Sequence, residues 1–251
     1  MSERVAVILA AGKGTRMKSD LAKVLHPFLG RPLVTYPVRA ALDAGATRIV
    51  VVTGHQEQAV QEAVSSTPGL PEGVVRFAHQ AEQNGTGHAV LCALPEIPVG
   101  DGQVWILSGD TPMIRAETLR SIAEAAAQST AGLAVSTLRA EGDTGYGRLL
   151  RDDAGAPKCI REQRDCTPAE YAVTECNAGL YCVASSHLHA ELPSLGSDNA
   201  QGEIYLTDLV EVRAGHGTVA VAALDPIEAA GVNTPEQLAA LEREASNSAL
   251  G

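Results

Sequence analysis

Hydrophobic positions along the chain follow two rhythms. Short runs of β-branched and aliphatic residues at 5–9, 48–53, 74–77 and 104–107 read as buried strands. Between them lie stretches whose apolar residues recur at helical spacing. The first predicted helix has Pro32 in its opening turn and Gly45 at its end, and others are expected over 56–64, 88–94 and 117–127. This alternation of strand and helix predicts a doubly wound, mainly parallel α/β sheet with ligands outside the carboxyl ends of its strands. Beyond Gly132 the pattern changes to strand-like pieces at 133–138, 147–151, 158–162 and 172–183, which predict added strands and a small β-hairpin lobe. Helices are expected again over 203–212 and 235–244, around a strand at 218–223, with a frayed tail near the end.

Composition narrows this picture. A chain of 251 residues with 45% hydrophobic content can build one large α/β domain around a substantial core. Aromatic residues make up only 3%, so the core is aliphatic and stacking platforms for single-stranded nucleic acid are scarce. A net charge of −11 also argues against nucleic acid as a partner. The charge is uneven, however. Residues 1–31 carry Arg4, Lys13, Arg16, Lys18, Lys23 and Arg31 against Glu3 and Asp20, which suits a small anionic ligand held locally as well as a solvated basic surface. The five cysteines form no CxxC pair and are expected to be free thiols rather than zinc ligands. No stretch has the length of a membrane span or a secretory leader, so a cytoplasmic protein without membrane contact is expected. His187 and His189 fall on different faces of an expected helix and read as solvated side chains.

The chemistry concentrates after the first strand, in Leu9-Ala10-Ala11-Gly12-Lys13-Gly14-Thr15-Arg16-Met17. Small residues let the backbone approach a ligand closely, and successive free N–H groups can nest an anion. Lys13, Arg16 and Lys23 supply cations for phosphate. An ordinary strand-to-helix turn has much the same composition. Two familiar phosphate loops are absent: the dinucleotide fingerprint would need glycine where Met17 stands, and no GxxxxGK string followed by Ser or Thr occurs.

The segment 9–17, with Lys23 in Ala22-Lys23-Val24-Leu25-His26, resembles the signature of the sugar nucleotidyltransferase superfamily. Further segments follow in that family's order: Gln80 to Ala89, Ser108-Gly109-Asp110-Thr111-Pro112, Gly145-Tyr146-Gly147-Arg148, Asn177-Ala178-Gly179, Asn199 to Glu203 and Gly231-Val232-Asn233. The ordered set is most similar to the uridyltransferase domains of bifunctional N-acetylglucosamine-1-phosphate uridyltransferases, the GlmU family.

The resemblance implies a Rossmann-like nucleotide-diphospho-sugar transferase fold over residues 1–245. About 1–130 would bind nucleotide, about 131–245 would bind sugar, and 246–251 would form a tail, with no left-handed β-helix acetyltransferase domain. It implies transfer of a uridylyl group from UTP to N-acetylglucosamine 1-phosphate with Mg2+ as cofactor. Arg16 and Lys23 would be catalytic. Leu9, Ala10, Ala11, Gly12, Gly14, Gln80, Gly85 and Thr86 would bind nucleotide; Gly147, Glu162 and Asn177 would bind sugar; Asp110 and Asn233 would hold the metal. The chain departs from the family pattern at Ala178, where a threonine is usual, and at Ser108, where an aromatic residue is usual. A nucleotidyltransferase for another sugar or base, and a non-catalytic nucleotide-sugar sensor, are the alternatives, and oligomeric state stays open.

Overall fold

The computed structural model describes residues 3–248. Its elements run in the order β1 (Arg4–Leu9), β2 (Pro27–Phe28), β3 (Arg31–Pro32), α1 (Thr35–Asp43), β4 (Arg48–Thr53), α2 (Glu57–Ser65), β5 (Val75–His79), α3 (Thr86–Ala93), β6 (Gln103–Ser108) and α4 (Ala116–Gln128). There follow β7 (Leu133–Arg139), β8 (Arg148–Arg151), β9 (Pro157–Arg161), α5 (Pro168–Tyr171), β10 (Glu175–Ala184), α6 (Ser185–Glu191), α7 (Asp208–Ala214), β11 (Ala220–Ala223), α8 (Pro226–Ala229) and α9 (Pro235–Ser248).

The main sheet has the order β11-β7-β10-β6-β1-β4-β5, with the β8–β9 hairpin attached to β10. β10 alone on that path runs antiparallel to its neighbours. This is the doubly wound, mostly parallel α/β fold with a hairpin lobe that the alternating pattern predicts. Successive residues of β1 serve opposite faces, as its alternation demands. Ala6 and Ile8 join the cluster under α1, α2 and α4, whereas Val5 and Val7 join the one under α3, α6 and α7. Each fully buried aliphatic side chain contributes about 1.5–3 kcal/mol to this packing.

The position of β1 sets the site. From β1 the chain winds outward to β4 and β5, then crosses to β6 on the other side, so the direction of winding reverses between β1 and β6. Their register pairs Leu9 with Ser108, so the loops after both strands leave side by side. A crevice at such a reversal is where open α/β sheets bind ligands.

Some local expectations are corrected. Pro32 does not open a helix: it pairs with Pro27 across a two-stranded turn, and α1 begins at Thr35. Residues 172–174 are not strand, because α5 with its Thr167/Glu170 capping box occupies the chain just before them and Ala172 is its C-cap. The helix expected from residue 203 starts at Asp208. Its first residues are diverted into other bonds, with Ile204 N donating to Asn84 O and Gly87 N to Ile204 O. α9 continues to Ser248, past the predicted end at 244, and residues 249–251 of the expected tail lie outside the described residues. His187 and His189 are half-buried, not solvated, and a His189 ring nitrogen donates to Ile97 O at 2.9 Å. The five cysteines are free.

Candidate active site

The first loop is shaped by what a side chain would strike. Gly14 has φ +67°, and a Cβ there would lie 2.3 Å from the Lys23 Cβ. Only glycine therefore lets the turn at Lys23–Leu25 lie across the loop. Met17, which stands where a dinucleotide loop would have glycine, is buried in a small cluster with Phe28, Leu33 and Val232. It anchors the loop to the segment that carries Asn233.

Four residues from three distant parts of the chain meet beside this loop. The Lys23 ammonium is paired with Asp110 Oδ2 and donates to Asn233 Oδ1 at 3.1 Å. Arg16 Nη2 donates to the same Asn233 oxygen at 2.9 Å. Asp110 is held from its other side by Ser108 Oγ, which donates to Oδ1 at 2.5 Å, and its carbonyl accepts from Val232 N at 3.0 Å. Asp110 thus combines the turn role its sequence suggests with a carboxylate aimed at a cation.

The segment bearing Asn233 is tied down by Glu228, which sequence reasoning missed. This carboxylate is 2% exposed and is paired with Arg115; it also accepts from Arg115 N at 3.0 Å and Thr118 Oγ1 at 2.6 Å. Since Arg115 follows Asp110 by five residues, Glu228 couples the two oxygen donors.

Among the described residues no group of three or more His, Cys, Asp and Glu side chains is placed to hold a metal ion. Asp110 and Asn233 nevertheless present hard oxygens that converge on one cation, the Lys23 ammonium. Such a donor set suits Mg2+, which takes few protein ligands and completes its shell with water and phosphate oxygens.

Beside this cluster opens a cavity of about 320 Å³ lined by Leu9, Ala10, Ala11, Gly12, Lys23, Gln80, Gly85 and Thr86, together with Val24, Gln83, Ala89, Ser108 and Glu203. Of the residues expected to bind nucleotide, Gly14 alone does not line it; its part is to seat Lys23. Gln80 is buried, and its Nε2 donates to Gly85 O at 3.2 Å and lies 3.1 Å from His88 Nδ1. Gly85 has φ +101°, and a Cβ there would lie 2.5 Å from Ile204 O. Thr86 Oγ1 accepts from Leu206 N at 3.1 Å, so the floor of the cavity is joined to the 199–206 segment. Gln83 Nε2 caps Ala11 O at 2.8 Å. Lys13 lines a separate depression with His55 and His79.

Gly147, Glu162 and Asn177 lie together on the hairpin side. Asn177 N donates to Gly147 O at 2.8 Å, and a Cβ on Gly147 would lie 3.5 Å from Glu162 Oε2. Asn177 sits at a register shift in β10, and its Nδ2 donates to Tyr181 OH at 2.6 Å. Such bulges re-aim side chains beside functional sites. Burial pushes the Glu162 carboxyl above the ordinary carboxylate range, against one hydrogen bond from Thr207 Oγ1 at 3.0 Å that favours ionisation. Burial, and then the negative charge of Asp110, raise the Tyr146 phenol above its ordinary range.

A reversal-point crevice in a mostly parallel sheet, with a glycine loop and paired cations at its edge, defines the scaffold of a nucleotidyltransferase. The chain belongs to the MobA-like NTP transferase domain family, whose profile matches residues 6–213. It is 50% identical over 238 residues to the bifunctional protein GlmU of Anaeromyxobacter sp. strain K, covering 95% of this chain and 48% of that protein. It is 48% identical over 245 residues to the bifunctional protein GlmU of Pelobacter propionicus, covering 97% and 52% respectively. The corresponding protein of Geobacter metallireducens is 46% identical over 241 residues, covering 95% and 50%. The chain thus spans about half the length of the curated relatives it matches. No helix among the described residues is long and apolar enough to cross a membrane.

Proposed function

We propose that this chain transfers a uridylyl group from UTP to N-acetylglucosamine 1-phosphate, giving UDP-N-acetylglucosamine and pyrophosphate. The observation that carries the reading is the meeting of Lys23, Arg16, Asp110 and Asn233 at the edge of the cavity formed by Leu9 to Gly12, Gln80, Gly85 and Thr86. The attacking oxygen of the sugar phosphate approaches the α-phosphorus opposite the departing pyrophosphate, so the protein supplies alignment and charge rather than a covalent nucleophile. Arg16 and Lys23 set two cations against the triphosphate. Mg2+, held by Asp110 and Asn233, would neutralise phosphate charge during the displacement. Ser108 fixes the rotamer of Asp110 throughout.

The base preference follows from hydrogen-bond inventory. Gln80 spends both Nε2 hydrogens on Gly85 O and His88 Nδ1, which leaves its carbonyl oxygen for the ligand. An acceptor in that place matches the ring N–H of uracil and leaves cytosine, which lacks that hydrogen, unmatched. On the sugar side, Gly147 gives a close backbone approach, and Asn177 offers an amide. Glu162, held toward its neutral form by burial, presents polar atoms to a hydroxyl or acetamido group with less repulsion of the adjacent phosphate.

Pyrophosphate release is the test, with UTP, Mg2+ and N-acetylglucosamine 1-phosphate as substrates and a panel of other sugar 1-phosphates and nucleoside triphosphates beside them. Turnover is expected with the named pair, falling about 10³-fold in Asp110→Ala. Release no greater than that of Asp110→Ala would overturn the reading, and tight UTP binding without turnover would mark a sensor instead.

A further inference from the structure

Arg148 is fully buried at the start of β8, yet no carboxylate is paired with its guanidinium among the described residues. A buried cation without a counter-ion is costly unless its donors are satisfied. Nη1 donates to Tyr146 O and Nη2 to Gly142 O at 2.8 Å, while the Tyr171 ring covers the group with its centroid 5.0 Å from Cζ. Nε is sealed in without a hydrogen-bond partner among the described residues.

Gln163 completes the same arrangement. Its Oε1 accepts from Thr144 N at 3.1 Å and Gly145 N at 2.8 Å, and lies 3.5 Å from the guanidinium; its Nε2 donates to Asp143 Oδ1 at 2.5 Å. The segment 142–146 belongs to no helix or strand. Its polar backbone is instead wound around two side chains. Directly after it comes Gly147, whose carbonyl holds Asn177, and within it stands Tyr146, which feels the charge of Asp110.

We propose that Arg148 and Gln163 are positioning residues that fix the 142–147 loop as a wall of the sugar-phosphate subsite, with no contact of their own to substrate. The proposal rests on the nucleotidyltransferase reading. A chain with a fully buried, carboxylate-free arginine accepts an energetic penalty for conformational definition, and the loop so defined ends in Gly147, whose carbonyl holds Asn177.

The test uses the full chain with Arg148→Lys, which keeps the charge and loses the planar fork, and Gln163→Ala. The KM for N-acetylglucosamine 1-phosphate is expected to rise about tenfold or more in both, as at least two hydrogen bonds that hold the loop are lost in each. UTP affinity, measured calorimetrically without sugar phosphate, should stay within about twofold, because the loop does not line the nucleotide cavity. Amide hydrogen exchange should accelerate at 142–147 and not at 9–16. Unchanged KM with unchanged exchange, or equal weakening of both substrates, would overturn the assignment. Should Arg148→Lys fail to fold, Gln163→Ala, at a half-buried position, decides the matter alone. If the wild-type protein releases no pyrophosphate, the enzymatic reading fails by itself, and the exchange measurement still decides whether these side chains hold the loop.

Discussion

The two sides of the site are built by different physics. On the side proposed to take the nucleotide, backbone and small residues at the ends of parallel strands form the walls, and glycine sterics keep them in place: an added methyl at Gly14 or Gly85 meets neighbouring atoms at 2.3 or 2.5 Å. On the side proposed to take the sugar, polar side chains packed around a bulged antiparallel strand do the shaping, and the mark of their packing is a carboxyl and two phenols, Tyr146 and Tyr181, shifted toward their neutral forms. The first kind of wall leaves no room for an added methyl at Gly14 or Gly85. The second depends on which hydrogen bonds are satisfied and answers to pH.

That contrast can be broken most severely at Gly14. Gly14→Ala places its methyl on the stem of Lys23, so the ammonium must move, and if Lys23 acts as proposed a shift of about 1 Å costs about 10²-fold in rate. A fall in kcat of that size, alongside some loss of thermal stability from the strained backbone, is the expected signature; a kcat within a few-fold of wild type would show that the loop accommodates the methyl.

A smaller effect is expected at the seam between the two sides. Glu228→Ala removes a buried acceptor of several hydrogen bonds from Arg115 and Thr118, with an expected loss of about 2–4 kcal/mol in denaturant unfolding. Asn233 should lose its place as well, so the Mg2+ requirement for turnover should rise in the same variant. Stability loss with an unchanged Mg2+ requirement would confine Glu228 to a packing role.

The mildest test lies on the sugar side. Because the folded protein holds the Glu162 proton more tightly than the unfolded chain does, the carboxyl's contribution to stability is full below its ordinary value of 4.5 and fades as pH rises through the raised folded value. Glu162→Gln removes that fade. Its melting temperature relative to wild type should therefore climb between about pH 4 and about pH 8. A constant difference across that range would show that Glu162 carries its charge at little cost.

How much of this was legible in the sequence follows the same division. The doubly wound sheet and the glycine loop are local properties, written in strand periodicity and in a few consecutive residues. Asp110 is legible as the residue just past a strand end. Lys23 and Asn233 are not, because 210 positions separate them, and only resemblance to a family brings them together. Glu228 and Arg115 lie 113 positions apart, and neither stands out in composition. Arg148 is legible only as the end of the Gly145-Tyr146-Gly147-Arg148 segment: nothing in its neighbours announces that it is buried or that a loop will wrap around it. Pro32 misled because its fixed φ suits a helix start and an edge strand equally well.

Asn233 also has a consequence for how the protein comes into being. β1, β4 and β6 all lie before residue 109, whereas Arg16 and Lys23 must wait some 200 residues for their shared oxygen. A nascent chain halted before residue 233 can own a nearly complete sheet and a glycine loop with its cations, and still lack the second oxygen donor. The cluster beside the first loop is thus closed by a segment made long after the loop itself.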